Sequence, residues 1–298
     1  MSRIVDSFRE RNSFSAGWAL GRNMRVVVSV QGVDLLVFSV MRLSMSVLSL
    51  PSPADPPPRR QELAGRVIAL IGGGSGIGLR VAHQAAAAGA KVVLGGRTPE
   101  KLAAAAREVG EGAGWQTVEV TDPRSIELFF GKFDRVDHVF TTAASYRVGP
   151  MLKLNDADAA SPFTSKFWGQ YHVAKYAAPL LPPDGSIVLM SGAAGARPPA
   201  PAPAYAACNA AIEGLGRGLA VELAPVRVNV ISPGTVDGSL WAQRRAQERD
   251  ASFTQYRNDT LLHRLGTEDE IAHGVLFLFT NGYMTGSTLY PDGGYTLR

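Results

Sequence analysis

The chain has 298 residues, is 46% apolar, carries a formal charge of +4 and contains one cysteine. That length allows one large domain or two small ones with ample material for a core. The lone Cys208 argues against a disulfide framework and fits a reducing compartment, so a cytoplasmic protein is expected. Residues 1–60 hold eight arginines against four acidic residues and so account for the whole +4. The remainder is neutral, which argues against a nucleic-acid face. Five scattered histidines and one cysteine give no metal-ligand spacing, and no metal is expected.

In chain order, residues 1–60 read as an N-terminal extension without a regular fold. The apolar stretch Met24 to Leu50 is interrupted by Arg25, Asp34 and Arg42, so it lacks the roughly 18–20 uncharged residues of a membrane span. No cleavage site in the style of a secretory signal follows it. Residues 51–60, with five prolines, form a linker. The folded domain is expected over 61–298. Strands are predicted at 66–71, 91–95, 116–120, 137–141, 186–190, 226–231 and 287–290. Helices are predicted at 77–89, 99–109, 123–132, 162–180, 204–224 and 267–280. Short apolar strands joined by helical crossovers predict an α/β fold, a doubly wound parallel sheet of about seven strands.

The first predicted strand runs into Gly72-Gly-Gly-Ser75-Gly76-Ile77-Gly78 and then a helical pattern. This strand–turn–helix suits a dinucleotide. The backbone turns tightly, and the helix N-terminus offers free N–H groups to a pyrophosphate. At the end of the second strand Gly96 stands where a ribose-binding carboxylate would favour NAD. Arg97 and Thr98 follow, and a guanidinium pairs well with a 2′-phosphate, so NADP is expected. Glu119 and Val120 end the third strand. The Glu119 carboxylate is placed to accept from an adenine amino group, while Thr121 or Asp122 is placed to cap the helix that Pro123 begins. The two readings are compatible.

From about residue 64 to 296 the chain resembles the short-chain dehydrogenase/reductase family. The likeness rests on ordered matches. These are Gly72, Gly76, Ile77 and Gly78 in the cofactor turn; Ala220 to Asn229, running from a long helix into the sixth strand; Pro233 and Gly234 after that strand; Gly266 to Ala272; and Thr285 to Gly294. The resemblance implies a Rossmann-type domain with the dinucleotide across the carboxyl ends of the strands. It adds Ser75, Ile77, Val120, Ala143, Asn209, Pro233, Gly234 and Val236 to the cofactor-binding set. It also implies a homodimer or homotetramer packed through helices 162–180 and 204–224, acting on a small carbonyl or alcohol, with no nucleic acid and no membrane as partner.

Catalysis in this family resembles a relay of Asn, Ser, Tyr and Lys, in which lysine holds the ribose and lowers the tyrosine pKa. Tyr205 matches the tyrosine. Four residues on, the lysine is replaced by Asn209. The serine position falls on Gly192, with Ser191 beside it. Lys166 stands where the relay has its asparagine. Thr141-Thr-Ala-Ala144 replaces the usual Asn-Asn-Ala-Gly. The lysine and asparagine changes look reciprocal, so Lys166 is expected to bring the missing ammonium to Tyr205 from a facing helix. The alternative is a solvated Lys166 beside a ribose-binding or structural Asn209. Ser191 or a backbone N–H is left to hold the substrate oxygen. Residues 197–203, rich in proline, and the apolar Trp241, Phe253, Tyr256 and Leu261 of a lid at 236–265 are candidates for the cleft wall. Two functions follow: an NADP-dependent oxidoreductase acting on a ketone or secondary alcohol through Tyr205, Lys166 and Ser191, or an NADP(H)-binding sensor or structural protein with impaired catalysis.

Overall fold

The computed structural model describes residues 27–30, 33–36, 63–199, 201–242 and 245–298. The chain divides into two units, Met1–Pro57 and Pro58–Arg298. In the first, β1 (Val27–Val30) and β2 (Val33–Leu36) pair antiparallel with Val30 opposite Val33. These valine-rich runs suit a pleated ribbon, and the sequence reading places no strands there. The rest of the expected extension lies outside the described residues.

The second unit alternates strands and helices. First come β3 (Val67–Ile71), α1 (Gly76–Ala87), β4 (Lys91–Gly96), α2 (Pro99–Val109), β5 (Gly114–Thr117), α3 (Pro123–Phe130) and β6 (His138–Thr141). Then follow α4 (Asp156–Ser161), a π-helical turn (Pro162–Phe167), α5 (Trp168–Ala177), β7 (Ser186–Met190), α6 (Pro203–Glu222) and β8 (Arg227–Ile231). The chain ends through β9 (Val236–Asp237), α7 (Ser239–Ala242), α8 (Ala246–Asp259), β10 (Gly266–Thr267), α9 (Glu268–Thr280) and β11 (Thr288–Leu289). Seven of these strands form one sheet in the order β11-β8-β7-β6-β3-β4-β5, every pairing parallel. This is the doubly wound sheet expected.

Both faces of the sheet are covered, so its strands are apolar on both sides. Val81, Ala82 and Ala85 of α1, Leu102 of α2 and Val275 of α9 pack with Ile68 and Leu70. On the other face Ile126 and Phe129 of α3, Val173 of α5 and Ile212 of α6 pack with Ala69 and Ile71. From β3 the chain winds outward to β4 and β5, then crosses back to β6 on β3's other side. The turn after β3 and the loop after β6 therefore border one crevice at the carboxyl ends of the strands, where such sheets bind nucleotides.

Two expected elements are corrected. The strand predicted at 116–120 lies at Gly114–Thr117, because β5 pairs with β4 from Val93↔Gly114 to Gly96↔Thr117 and Glu119 N then turns to Ser125 Oγ. The helix predicted at 162–180 starts earlier and is broken. Asn155 caps α4 by accepting from Asp158 N, and Pro162, which has no N–H, opens the wide π turn. The lid also carries α7 and α8, which the sequence reading did not place.

Candidate active site

The glycine-rich turn is built by close backbone approach. A Cβ on Gly78 would lie 2.2 Å from the Gly72 carbonyl oxygen, and one on Gly72 (φ +94°) 2.8 Å from Ala143 N. Only hydrogen fits at either place, and the turn after β3 thereby sits directly on Ala143 in the loop after β6. Gly76 also has a positive φ of +59°. Ser75 precedes α1 in extended conformation, and its side chain makes no capping bond. The first N–H groups of α1 thus have no side-chain acceptor there, and the narrow, backbone-lined cradle fits a pyrophosphate.

The remaining expected cofactor residues border the same crevice or support it. Arg97 and Thr98 follow β4. Arg97 is exposed and has no ion-pair partner among the described residues. The Glu119 carboxylate accepts from Thr121 N (3.0 Å) and Thr121 Oγ1 (2.9 Å), while Asp122 caps α3 by accepting from Arg124 N. The capping reading is therefore correct for Asp122, and Glu119 braces the turn. Val120 is buried, its side chain 3.2 Å from where a Cβ on Gly169 would stand. Across the crevice, Pro233 O accepts from Ala193 N at 2.8 Å, Gly234 packs on the Asp292 backbone, and Val236 pairs with Gly266. Glu268, at the start of α9, accepts from Ser239 N at 2.8 Å. Its Oε1 is 3.3 Å from the position of a Cβ on Gly76. A carboxylate thus holds the start of α7 close to the glycine turn.

The reactive cluster forms where α6, the π turn and the end of β7 meet. Tyr205 lies in the first turn of α6. Lys166 lies in the π turn and is only 6% exposed. Lys166 Nζ lies 5.4 Å from the Tyr205 ring centroid and donates to Asn209 Oδ1 (2.5 Å) and Ser191 O (2.8 Å). Asn209, fully buried, also donates from Nδ2 to Tyr205 O at 2.9 Å. Lys166 is therefore buried rather than solvated, while Asn209 serves as its acceptor. Burial pushes the Tyr205 phenol up. The Lys166 ammonium, followed by side-chain hydrogen bonds from Tyr146 and Asn209, outweighs it and holds the phenol below the usual tyrosine range. Next door, Gln170 of α5 clamps the end of β7, donating to Met190 O (3.0 Å) and accepting from Met190 N (2.7 Å).

The expectation for Ser191 is corrected. Its hydroxyl donates to Asn209 O at 2.8 Å and lies 3.3 Å from Glu213 Oε1, against α6 and away from Tyr205. The alternation of side chains past the end of β7 explains this: Ser191 points into the helix, and Gly192 is turned towards Asn209 Oδ1 and Tyr205 Oη. A Cβ on Gly192 would lie 3.3 Å from Tyr205 Oη. At the end of β6 Thr141 is fully buried. Its Oγ1 has no hydrogen-bond partner among the described residues, at the place where the resemblance puts an asparagine.

The lid aromatics largely pack on one another. The Trp241 ring stands 5.2 Å from Phe253 and 6.0 Å from Tyr256. Leu261 lies against Gly294 near the C-terminus. The proline-rich stretch is anchored by Arg197, which donates to Asp259 O and Tyr295 O and stacks on the Tyr295 ring. The sequence reading missed Tyr146. Its ring stacks on Tyr205 with centroids 5.1 Å apart. An aromatic in an otherwise featureless loop after a central strand was the only available signal.

Among the described residues no helix is long and apolar enough to cross a membrane. The sequence profile described as enoyl-(acyl carrier protein) reductase matches residues 72–296. The chain is 33% identical over 252 residues to galactitol 2-dehydrogenase (L-tagatose-forming) of Cereibacter sphaeroides, covering 79% of this chain and 96% of that protein. It is 31% identical over 246 residues to peroxisomal 2,4-dienoyl-CoA reductase of Danio rerio, covering 78% and 82%. A solved small-chain dehydrogenase in complex with NADPH superimposes with a TM-score of 0.69 at 30% identity, over 78% of this chain and all of that one. The fold, the ordered motifs and these likenesses agree: the chain belongs to the short-chain dehydrogenase/reductase family, oxidoreductases that use a nicotinamide cofactor.

Proposed function

We propose that the protein is an NADP-dependent oxidoreductase that moves a hydride between the nicotinamide and a ketone or secondary alcohol, with Tyr205 as acid and base. The observation that carries this reading is the buried Lys166 ammonium beside the Tyr205 phenol. Gly72, Ser75, Gly76, Ile77 and Gly78 would hold the pyrophosphate, and Arg97 with Thr98 the 2′-phosphate. Ala143, Pro233, Gly234 and Val236 border the nicotinamide end. Arg97 supports NADP over NAD because a free guanidinium, with no carboxylate at Gly96, suits a phosphate.

When bound, the nicotinamide supplies or accepts the hydride. The chain's own residues move the proton. In reduction the Tyr205 hydroxyl gives its proton to the substrate oxygen as the C–H bond forms. In oxidation the phenolate takes that proton back. Lys166 makes the phenolate accessible by holding a positive charge beside it. Asn209 accepts from Lys166 through Oδ1 and donates from Nδ2 to the Tyr205 backbone carbonyl, which ties Lys166 to the helix that carries Tyr205.

A second reading, a cofactor-binding protein with impaired turnover, is favoured by one observation: Gly192 brings no side chain to Tyr205 Oη, and the Ser191 hydroxyl is turned to α6. NADPH oxidation against a panel of ketones decides between them. Tyr205→Phe should lower turnover by about 10²–10⁴-fold with NADPH binding intact. Turnover that ignores Tyr205, or is absent while NADPH binds, selects the second reading.

A further inference from the structure

An oxygen passing from carbonyl to alkoxide needs more than the proton it receives. A second donor aimed at the developing charge lowers the barrier, and such a donor matters most where water is excluded. Tyr205 delivers the proton. Gly192 has no side chain to offer, and the Ser191 hydroxyl is committed to α6.

The gap is flanked by a second phenol. Tyr146 stacks on Tyr205 with 29° between the ring planes, and its side chain hydrogen-bonds the Tyr205 phenol. Two hydroxyls therefore meet on the side of Tyr205 that Gly192 borders, where a Cβ on Gly192 would lie 3.2 Å from Asn209 Oδ1 and 3.3 Å from Tyr205 Oη. The loop that carries Tyr146 is fixed on both sides of it. Ser145 O accepts from Ser165 Oγ at 2.7 Å, and Arg147 N donates to Ser161 Oγ at 2.9 Å. Ser161 ends α4 and Ser165 lies in the π turn, directly before Lys166. Tyr146 and Lys166 are thus placed against Tyr205 by one frame.

We propose that Tyr146 supplies the second hydroxyl to the substrate oxygen, in the place that Gly192 leaves without a side chain. The proposal rests on the hydride-transfer reading above. In reduction the Tyr146 O–H stays intact. It turns its hydrogen bond from Tyr205 Oη to the substrate oxygen as Tyr205 passes over its proton, and in oxidation it turns back.

Tyr146→Phe tests this while keeping the ring stack. Loss of one such donor should lower kcat about 100-fold, with KM changed less than about threefold. In the ligand-free protein, ¹³C-labelled tyrosine should show the Tyr205 phenol titrating at higher pH in Tyr146→Phe, because a donor to its oxygen is gone. Adding Gly192→Ser to Tyr146→Phe should recover about tenfold in kcat, since a hydroxyl then returns to the same space. A kcat within threefold of wild type, or an effect on KM alone with an unmoved Tyr205 titration, overturns the proposal. So does a folded double variant no faster than Tyr146→Phe. Absence of any turnover in the wild type instead overturns the hydride-transfer reading and this proposal with it.

Discussion

Replacing Lys166 with methionine removes an ammonium beside Tyr205 and keeps a side chain of similar length. Nζ lies 5.4 Å from the phenol ring centroid. At that separation a unit charge is worth about 3 kcal/mol to a phenolate if the effective dielectric is about 20, and under about 1 kcal/mol in bulk water. With the residue 6% exposed, the first figure applies. The cost should be about 100-fold in the direction that needs the phenolate, alcohol oxidation near neutral pH. The assay is kcat/KM for oxidation as a function of pH. The wild-type limb rises as Tyr205 loses its proton and levels once it is a phenolate. Because the phenol is held below its ordinary range, levelling comes below the usual tyrosine pKa of about 10. In Lys166→Met the limb should move to higher pH, and the two enzymes should converge where both hold phenolate. Reduction should show the mirror image, falling as Tyr205 loses the proton it must give. The substitution also strands Asn209 Oδ1 and Ser191 O, each unpaired acceptor costing about 1–3 kcal/mol, so urea unfolding accompanies the kinetics. A folded variant with an unmoved pH limb would refute the assignment of Lys166.

Two further outcomes follow from close packing and from burial. Gly78→Ala places a Cβ 2.2 Å from the Gly72 carbonyl oxygen and 3.1 Å from Gly73 Cα, backbone that cannot swing aside, so α1 must shift. Overpacking of this kind costs about 1–3 kcal/mol, and NADPH affinity by fluorescence titration should fall about tenfold or more. Gly74→Ala, which meets only the Leu102 side chain at 3.2 Å, should bind as wild type; equal binding by all three proteins would sink the cradle argument. His138 is buried at the start of β6, stacked on Phe279 and bonded to Ser186 Oγ. Burial first, then the Arg227 and Arg66 charges, lower its pKa from 6.5 to about 4. The unfolded chain therefore binds the extra proton between those values. Stability from this group is complete above the unfolded pKa and falls by about 3 kcal/mol as pH drops towards about 4. His138→Gln should flatten that part of the stability curve in urea titrations. An identical slope in the variant would assign the pH dependence elsewhere.

The sheet was readable from the sequence because parallel strands buried on both faces are short apolar runs, and because Gly72 to Gly78 admits so few backbone paths. Residues 186–190 and 99–109 were placed without error for that reason: one is a clean apolar run, the other is bounded by Thr98-Pro99 and Gly110. The edge strand β5 lies two to three residues before the predicted run, since Trp115 and Thr117 of β5 are exposed while the buried apolar Val118 and Val120 that draw the prediction lie past its end. The π turn was not readable at all. Its period differs from that of the flanking helices by one residue, and a single Pro162 does not announce it. The same turn carries the buried Lys166. Tyr146 was missed because a loop's course depends on tertiary bonds, here from Ser161 and Ser165, that no local pattern encodes.

The exchange of Lys166 for the lysine expected at Asn209 preserves a charge without preserving everything a lysine does. An ammonium has three N–H donors. Two of Lys166's are spent on Asn209 Oδ1 and Ser191 O, and the residue is buried behind Tyr205. The two roles that the family resemblance gives to one lysine, holding the ribose and lowering the phenol pKa, are therefore divided. In the proposed mechanism Lys166 keeps the electrostatic role, because a Coulomb field does not depend on the side from which the charge arrives. On the reading proposed above its remaining donor lies too deep to anchor a cofactor, and affinity is assigned to the glycine cradle and Arg97. In Lys166→Met, NADPH affinity should stay within about threefold, a change below 1 kcal/mol, while the oxidation rate falls about 100-fold. A parallel loss of affinity and rate would mean that Lys166 still grips the ribose, and that the inward turn of the π segment opens when the cofactor enters.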